Sequence, residues 1–157
     1  MTLPVVLDAL RTSMLTIPPP TPPGGLLTVY ADPKDAVSGG NFPCMYLALA
    51  PLMEHGFKLE TMGGVVRHTP TIAIYLSICT LQVPLNERHA LLLPWPELIT
   101  AALVARLKLG GAVQFIGNDG EQLWTYRPQA TAWADGMYWG LRGLLPVTDK
   151  IVMALGA

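Results

Sequence analysis

Three features of this sequence predict an α/β fold of the α+β kind, a mostly antiparallel sheet with one long helix packed on one face. Short apolar runs with a period of two recur between Phe42 and Val147, parted by glycine turns, as hairpin-connected strands require. One stretch after Pro94 repeats its apolar residues every three or four positions instead. Strands before and after a single long helix pack most economically as one sheet with that helix laid across it. At 157 residues the chain has the length of one domain. Residues 1–25 read as an N-terminal helix and proline-rich arm, and residues 26–157 as the sheet–helix core.

Leu3, Val6, Leu7, Leu10 and Met14 form one apolar stripe, which predicts a short helix from about Pro4 to Leu15 with the proline in its first turn. Ile17 to Gly25 then holds five prolines and two glycines, which exclude helix or sheet interior and predict an extended, polyproline-like arm. Leu26 to Tyr30 reads as a short strand. Ala31 to Asn41, with Asp32, Lys34 and Asp35, reads as a polar loop that orders on binding. Phe42 to Pro51 and Phe57 to Met62 read as strands, and Gly63-Gly64 suits the tight turn that follows.

Val65 to Leu81 reads as one central strand, with Ile72, Ile74, Leu76 and Ile78 on one face and Thr71, Ala73, Tyr75, Ser77 and Cys79 on the other. The long helix is expected to start at Pro94-Trp95-Pro96, to carry Trp95, Leu98, Ile99, Ala102, Leu103 and Leu107 on its stripe, and to stop at Gly110-Gly111. Glu97 near its start and Lys108 near its end agree with the helix dipole. Ala112 to Ile116 and Glu121 to Arg127 flank a Gly117-to-Gly120 turn as a predicted hairpin. A last strand is expected from Met137 to about Val147, with Pro146 at its end or at an edge.

Charged residues make up only 13% of the chain and hydrophobic ones 51%, where ordinary soluble domains carry about 25% charged residues. A surface so poor in ions is hidden in lipid or against other proteins. The apolar runs argue against lipid. Ser77 and Thr80 interrupt Ile72 to Leu81, and Pro94, Pro96, Glu97 and Arg106 interrupt Leu91 to Leu107, so neither offers the ~20 apolar residues of a spanning helix. Asp8 and Arg11 in a short apolar N-terminus do not resemble a secretory signal, and a cytoplasmic protein is expected. A net charge of −1 without blocks of like charge leaves no footprint for nucleic acid. Cys44 and Cys79 read as buried, reduced thiols.

No catalytic constellation is present, and the chain is not expected to be an enzyme. Neither cysteine lies near a histidine and a third orienting group in any known nucleophile motif. His55, His68 and His89 lack HxH, HxxxH or CxxC spacing, so no metal is expected, and the glycine doublets make no phosphate loop, so no cofactor is expected. Gly117 to Glu121 lacks the alternating oxygen ligands of a calcium loop. Trp95 belongs to the helix stripe. Trp124, Tyr126, Trp133, Tyr138 and Trp139 gather in the last third, where two readings stand side by side: a candidate protein interface, or filling of the sheet's own core.

Gly63-Gly64 with Val65-Val66-Arg67-His68, followed by Thr71-Ile72-Ala73-Ile74-Tyr75-Leu76-Ser77-Ile78, resembles the glycine hairpin and long strand of the small tail-terminator proteins of long-tailed bacteriophages. Asn86-Glu87-Arg88-His89-Ala90, Leu93-Pro94-Trp95, Ala101-Ala102-Leu103-Val104-Ala105 and Gly110-Gly111 are similar to that family's proline-started helix and glycine stop. Tyr138-Trp139-Gly140-Leu141-Arg142 resembles its closing strand. The likeness runs from about Phe42 to Val147.

The resemblance implies a structural virion protein that joins copies of itself into a ring, a homohexamer, on the last ring of tail tube protein. Such a ring stops tube growth and offers its other face to the head connector or neck protein at the head–tail junction, after assembly in the host cytoplasm and without a membrane. A head-to-tail contact that closes by rotation yields such a ring. On this reading Asp32, Asp35, Asp119 and Glu121 are candidate docking or lumen acids past which DNA moves without specific binding. The plainer reading of the same four acids is solvated loop charge. The proline arm and the extended segment from Asp119 to Asp135 depart from the family's compact turns. The alternatives are a neck or head-completion adaptor and, further off, a non-viral interaction domain.

Overall fold

The computed structural model describes residues 3–20, 26–30, 42–51, 55, 57–59, 65–111, 113, 115–117, 122–133 and 136–152. In chain order these form α1 (Leu3–Met14), β1 (Thr28–Tyr30), β2 (Cys44–Leu49), β3 (Phe57–Leu59), β4 (Val65–His68) and β5 (Thr71–Thr80). α2 (Leu85–Leu92), α3 (Trp95–Val104), β6 (Phe115–Ile116), β7 (Thr125–Trp133) and β8 (Gly136–Val152) follow. The chain is a mixed α/β molecule, with a mostly antiparallel sheet, a bent helix made of α2 and α3, and a short N-terminal helix.

β8 organises the sheet. Along one side it pairs first with β5, from Tyr138 opposite Thr80 to Pro146 opposite Thr71, and then with β4, from Asp149 opposite His68 to Val152 opposite Val65. The step from His68 to Thr71 matches the step from Pro146 to Asp149, so β4 and β5 follow one register. The single strand expected over Val65 to Leu81 is therefore built in two pieces, broken at Thr69-Pro70, because proline brings no amide to the ladder. The Pro70 carbonyl still accepts the Val147 amide at 2.9 Å. β2 continues the sheet antiparallel to β5, and β1 joins β2 in parallel.

The other side of β8 takes β7, from Trp133 opposite Gly136 to Thr125 opposite Leu144, and then β6. This corrects the expected hairpin: β6 and β7 each pair with β8 and not with one another. β8 runs past Pro146 to Val152, so one long strand has room for both, and Pro146 lies inside the strand instead of ending it. Its carbonyl accepts the Gly117 amide at 2.7 Å. Much of the segment expected to be extended loop between Asp119 and Asp135 is thus the strand β7. Pro128, exposed on β7, is tolerated there because among the described residues β7 pairs with β8 alone and no further strand needs its amide.

The helix also begins earlier than expected. α2 starts after Pro84 and bends into α3 at Leu93-Pro94, where the proline lacks the amide that would continue the helical ladder. α3 ends at Val104, and Leu107, expected on the stripe, is 46% exposed. A 3-10 turn at Leu109–Gly111 follows, in which Gly110 takes the left-handed φ of 67° that stops helices.

Val6, Leu10 and Met14 of α1 and Trp95, Ile99 and Leu103 of α3 pack on Met45, Leu47, Ile72, Ile74, Leu76, Leu141 and Leu145 of the sheet. Burying each such side chain contributes about 1.5–3 kcal/mol. All three helices lie on this one face. Among the described residues no helix is long and apolar enough to cross a membrane.

Between Ser77 and Cys79 the β5–β8 register shifts by a bulge, and there Gly140 approaches the Leu76 carbonyl so closely that a β-carbon would collide with it and lie 2.9 Å from the Ser77 Cα. The obstacle is backbone and cannot swing aside. Gly140→Ala is expected to lower stability by about 3 kcal/mol, seen as a lower urea midpoint; an unchanged midpoint would show that the two strands separate freely here.

Candidate interaction face

The pleat sends alternate residues of each strand to opposite faces. Since Met45, Leu76 and Leu141 point to the helices, Tyr46, Tyr75 and Arg142 point away from them. Register then aligns these residues across the sheet. Tyr30 of β1 faces Tyr46 of β2, Tyr46 faces Tyr75 of β5, Tyr75 faces Arg142 of β8, and Arg142 faces Arg127 of β7. Three tyrosines and two arginines thus form one row over the helix-free face.

Aromatic contacts lock the tyrosine end. Tyr46 and Tyr75 stack with centroids 4.4 Å apart, and the Trp133 ring stands edge-on to Tyr46 at 5.2 Å and to Tyr30 at 5.8 Å. Trp133 is anchored by its indole N–H, which donates to Ser77 Oγ at 2.7 Å. Phe42 and Tyr138 add an edge contact at 5.0 Å. The Arg142 guanidinium lies 6.0 Å from the Tyr75 centroid, within reach of a weak cation–π attraction. Burial raises the pKa of Tyr46 above the ordinary tyrosine value; neighbouring Tyr75 adds to the rise and the Arg142 charge opposes it.

The five aromatic residues singled out in the sequence are divided between the two sides of the sheet. Trp133 and Tyr138 belong to the helix-free face. Trp124 is on the helix side, where its Nε1 donates to Thr100 Oγ1 at 2.8 Å and its ring fills the space left by Gly143, whose added β-carbon would lie 2.8 Å away. Trp139 packs partly buried on the core, with the Arg88 guanidinium 4.9 Å from its ring centre. Tyr126 is 49% exposed beside Trp124 and borders a groove of about 230 Å³ with His89, Leu92, Leu93, Pro96 and Pro128. Asp32, Asp35, Asp119 and Glu121 lie outside the described residues.

Tyr30, Tyr46, Tyr75, Arg127 and Arg142 were not legible as a group. The sequence carries only the alternation of β5, which puts Tyr75 on the polar side; strand register supplies the rest.

The two ends of the sheet differ. At the β1 end Arg11 of α1 donates through Nε to the Val29 carbonyl at 2.9 Å and occupies that edge, whereas residues 125–128 of β7 are exposed. Cys44 and Cys79 are buried free thiols, and burial raises the pKa of Cys79, against the pull of Arg88, which disfavours the reactive thiolate. His55 bridges Ala50 O at 3.0 Å and the Thr71 amide at 3.2 Å, a structural tie between β2 and β5. Among the described residues no three His, Cys, Asp or Glu side chains are grouped to hold a metal. No protein-family model matches the chain, and no curated protein matches it.

The raised Tyr46 pKa has a pH consequence with a definite sign. The unfolded chain ionises this tyrosine near the ordinary value of 10.0 while the folded chain still holds its proton, so its contribution is complete below that pH and is lost as pH rises through the folded value. The alkaline loss of stability, followed by urea unfolding from pH 9 upward, is expected to be smaller in Tyr46→Phe. Equal losses in the two proteins would place this hydroxyl in water.

Proposed function

We propose that this chain is a structural subunit of a bacteriophage head–tail junction, a tail terminator that forms a ring with its own copies, caps the tail tube and meets the head connector. The observation that carries the reading is apolar surface left open on several sides at once. Leu85, Leu93 and Val104 of the helix layer are 54%, 77% and 54% exposed, Phe57 of β3 is 65% exposed, and the aromatic row lies on the opposite face. A subunit that touches neighbours in its ring and partners above and below needs such surface in several directions. The low share of charged residues points the same way, as does the resemblance of the central strand, helix and closing strand to the terminator family.

The unlike sheet ends suit a head-to-tail contact, in which two different patches meet and rotation closes the ring. The edge plugged by Arg11 and the edge open at β7 are two such patches. Stopping tube growth then needs no chemistry, only a face that binds the last tube ring and fails to offer a copy of it.

Sedimentation velocity with and without purified tail tubes tests the reading. A species with the mass of six copies is expected, free or on the tubes, together with antibody label at the head–tail junction of virions in electron micrographs. A chain that stays monomeric under both conditions, or label elsewhere, contradicts it.

A further inference from the structure

Arg127 and Arg142 stand directly opposite each other on adjacent strands, an arrangement in which like charges repel. The acidic side chains the structure describes, Asp8, Glu87 and Glu97, all belong to the helices, so none of them neutralises the pair. Arg142 Nε is buried without a hydrogen-bond partner. Among the described residues Arg127 Nε donates to the neutral Gln129 Oε1, at 3.1 Å. Both arginines line a recess of about 160 Å³ along β7 and β8, together with Thr125, Tyr126 and Leu144. Guanidinium forks held this way match the two oxygens of a carboxylate.

From this geometry we infer that the helix-free face is a docking site for an extended acidic segment of a partner protein, with one Asp or Glu carboxylate on the Arg127–Arg142 pair and apolar side chains on the tyrosines. The distances agree. Same-side residues of an extended segment are ~6.8 Å apart and adjacent strands ~4.8 Å apart. With a carboxylate over the arginines, the residue two positions on reaches Tyr75, and the next same-side residue reaches Tyr46 and Trp133. Tyr, Trp and Arg are the side chains that dominate binding at interface centres.

Charge selects the occupant. Single-stranded nucleic acid is held by grooves that neutralise many phosphates, and this row has two cations in a chain of net charge −1. Among its described residues a second copy offers Asp8, Glu87 and Glu97 singly on helices and the lone Asp149 on β8, not an acidic extended segment. The inference holds whether or not the subunit closes into a ring, and its test does not depend on ring formation.

The test is titration of the full chain, followed by Trp fluorescence and calorimetry, with the peptide acetyl-Ser-Glu-Ser-Leu-Ser-Tyr-Ser-amide, its Gln analogue and an oligothymidylate. The Glu peptide is expected to bind at least tenfold more tightly than the Gln peptide. Arg142→Gln abolishes that preference, Arg127→Gln weakens it, and Arg142→Lys restores it only in part because the fork is lost. The exposed Arg127 gives a variant that keeps the native circular dichroism even if Arg142 variants unfold. Equal binding or no binding of the two peptides, tighter binding of the oligothymidylate, or an Arg142→Gln effect confined to the chain's own sedimentation overturns the inference.

Discussion

The pairing of β8 with strands on both sides is the interaction on which the remaining structure depends. Leu141 and Leu145 are fully buried under the helices, while Tyr138, Arg142 and Leu144, on the opposite pleat positions, are half buried. Every strand in register with β8 inherits that division. A slip by one residue would turn Tyr75 and Arg142 into the core and bring Leu76 and Leu141 into water, at a cost well above the few kcal/mol by which domains are stable. The bulge after Ser77 and the close passage of Gly140 beside Leu76 hold the register at one point, and Trp133 bonded to Ser77 crosses the same point on the outer face.

A sheet with helices on only one face usually turns polar side chains to water on the other. Here that other face carries stacked rings and a pair of arginines that no acidic side chain among the described residues neutralises. The rings already hold one another in place, since Tyr46 and Tyr75 stack and Trp133 spans Tyr30 and Tyr46. A face organised before binding loses little side-chain freedom when a partner arrives. On the proposed reading, the shortage of charged residues, the open apolar groups of the helix layer and the ring cluster have one physical cause in common: surface to be covered by protein.

The elements most legible in the sequence are those whose signal is local. The α1 stripe and the alternation in β5 needed nothing beyond neighbouring residues. α2 was missed because only Leu92 among its residues is buried, so it carries no stripe. The hairpin assigned to β6 and β7 failed because turn residues say where a chain reverses, not which strand it pairs with, and the longer β8 competed for both. Pro70 breaks a strand expected to be continuous, and Pro146, expected at a strand end or edge, lies inside one with partners on both sides. The aromatic residues of the last third were grouped by closeness along the chain. Yet Tyr138 and Trp139 are neighbours that face opposite sides, and Trp124 and Trp133 differ in pleat parity. The row from Tyr30 to Arg127 draws one residue from each of five strands, and nothing short of register brings them together.

Hydroxyl-radical footprinting of the isolated chain and of the chain in its native assembly tests most directly whether the helix-free face is the covered one. Tyr46, Tyr75 and Trp133 are expected to be oxidised readily in the isolated chain and protected together in the assembly, while Trp95, buried in both, stays unmodified. Equal oxidation of the three residues in the two states would contradict the account.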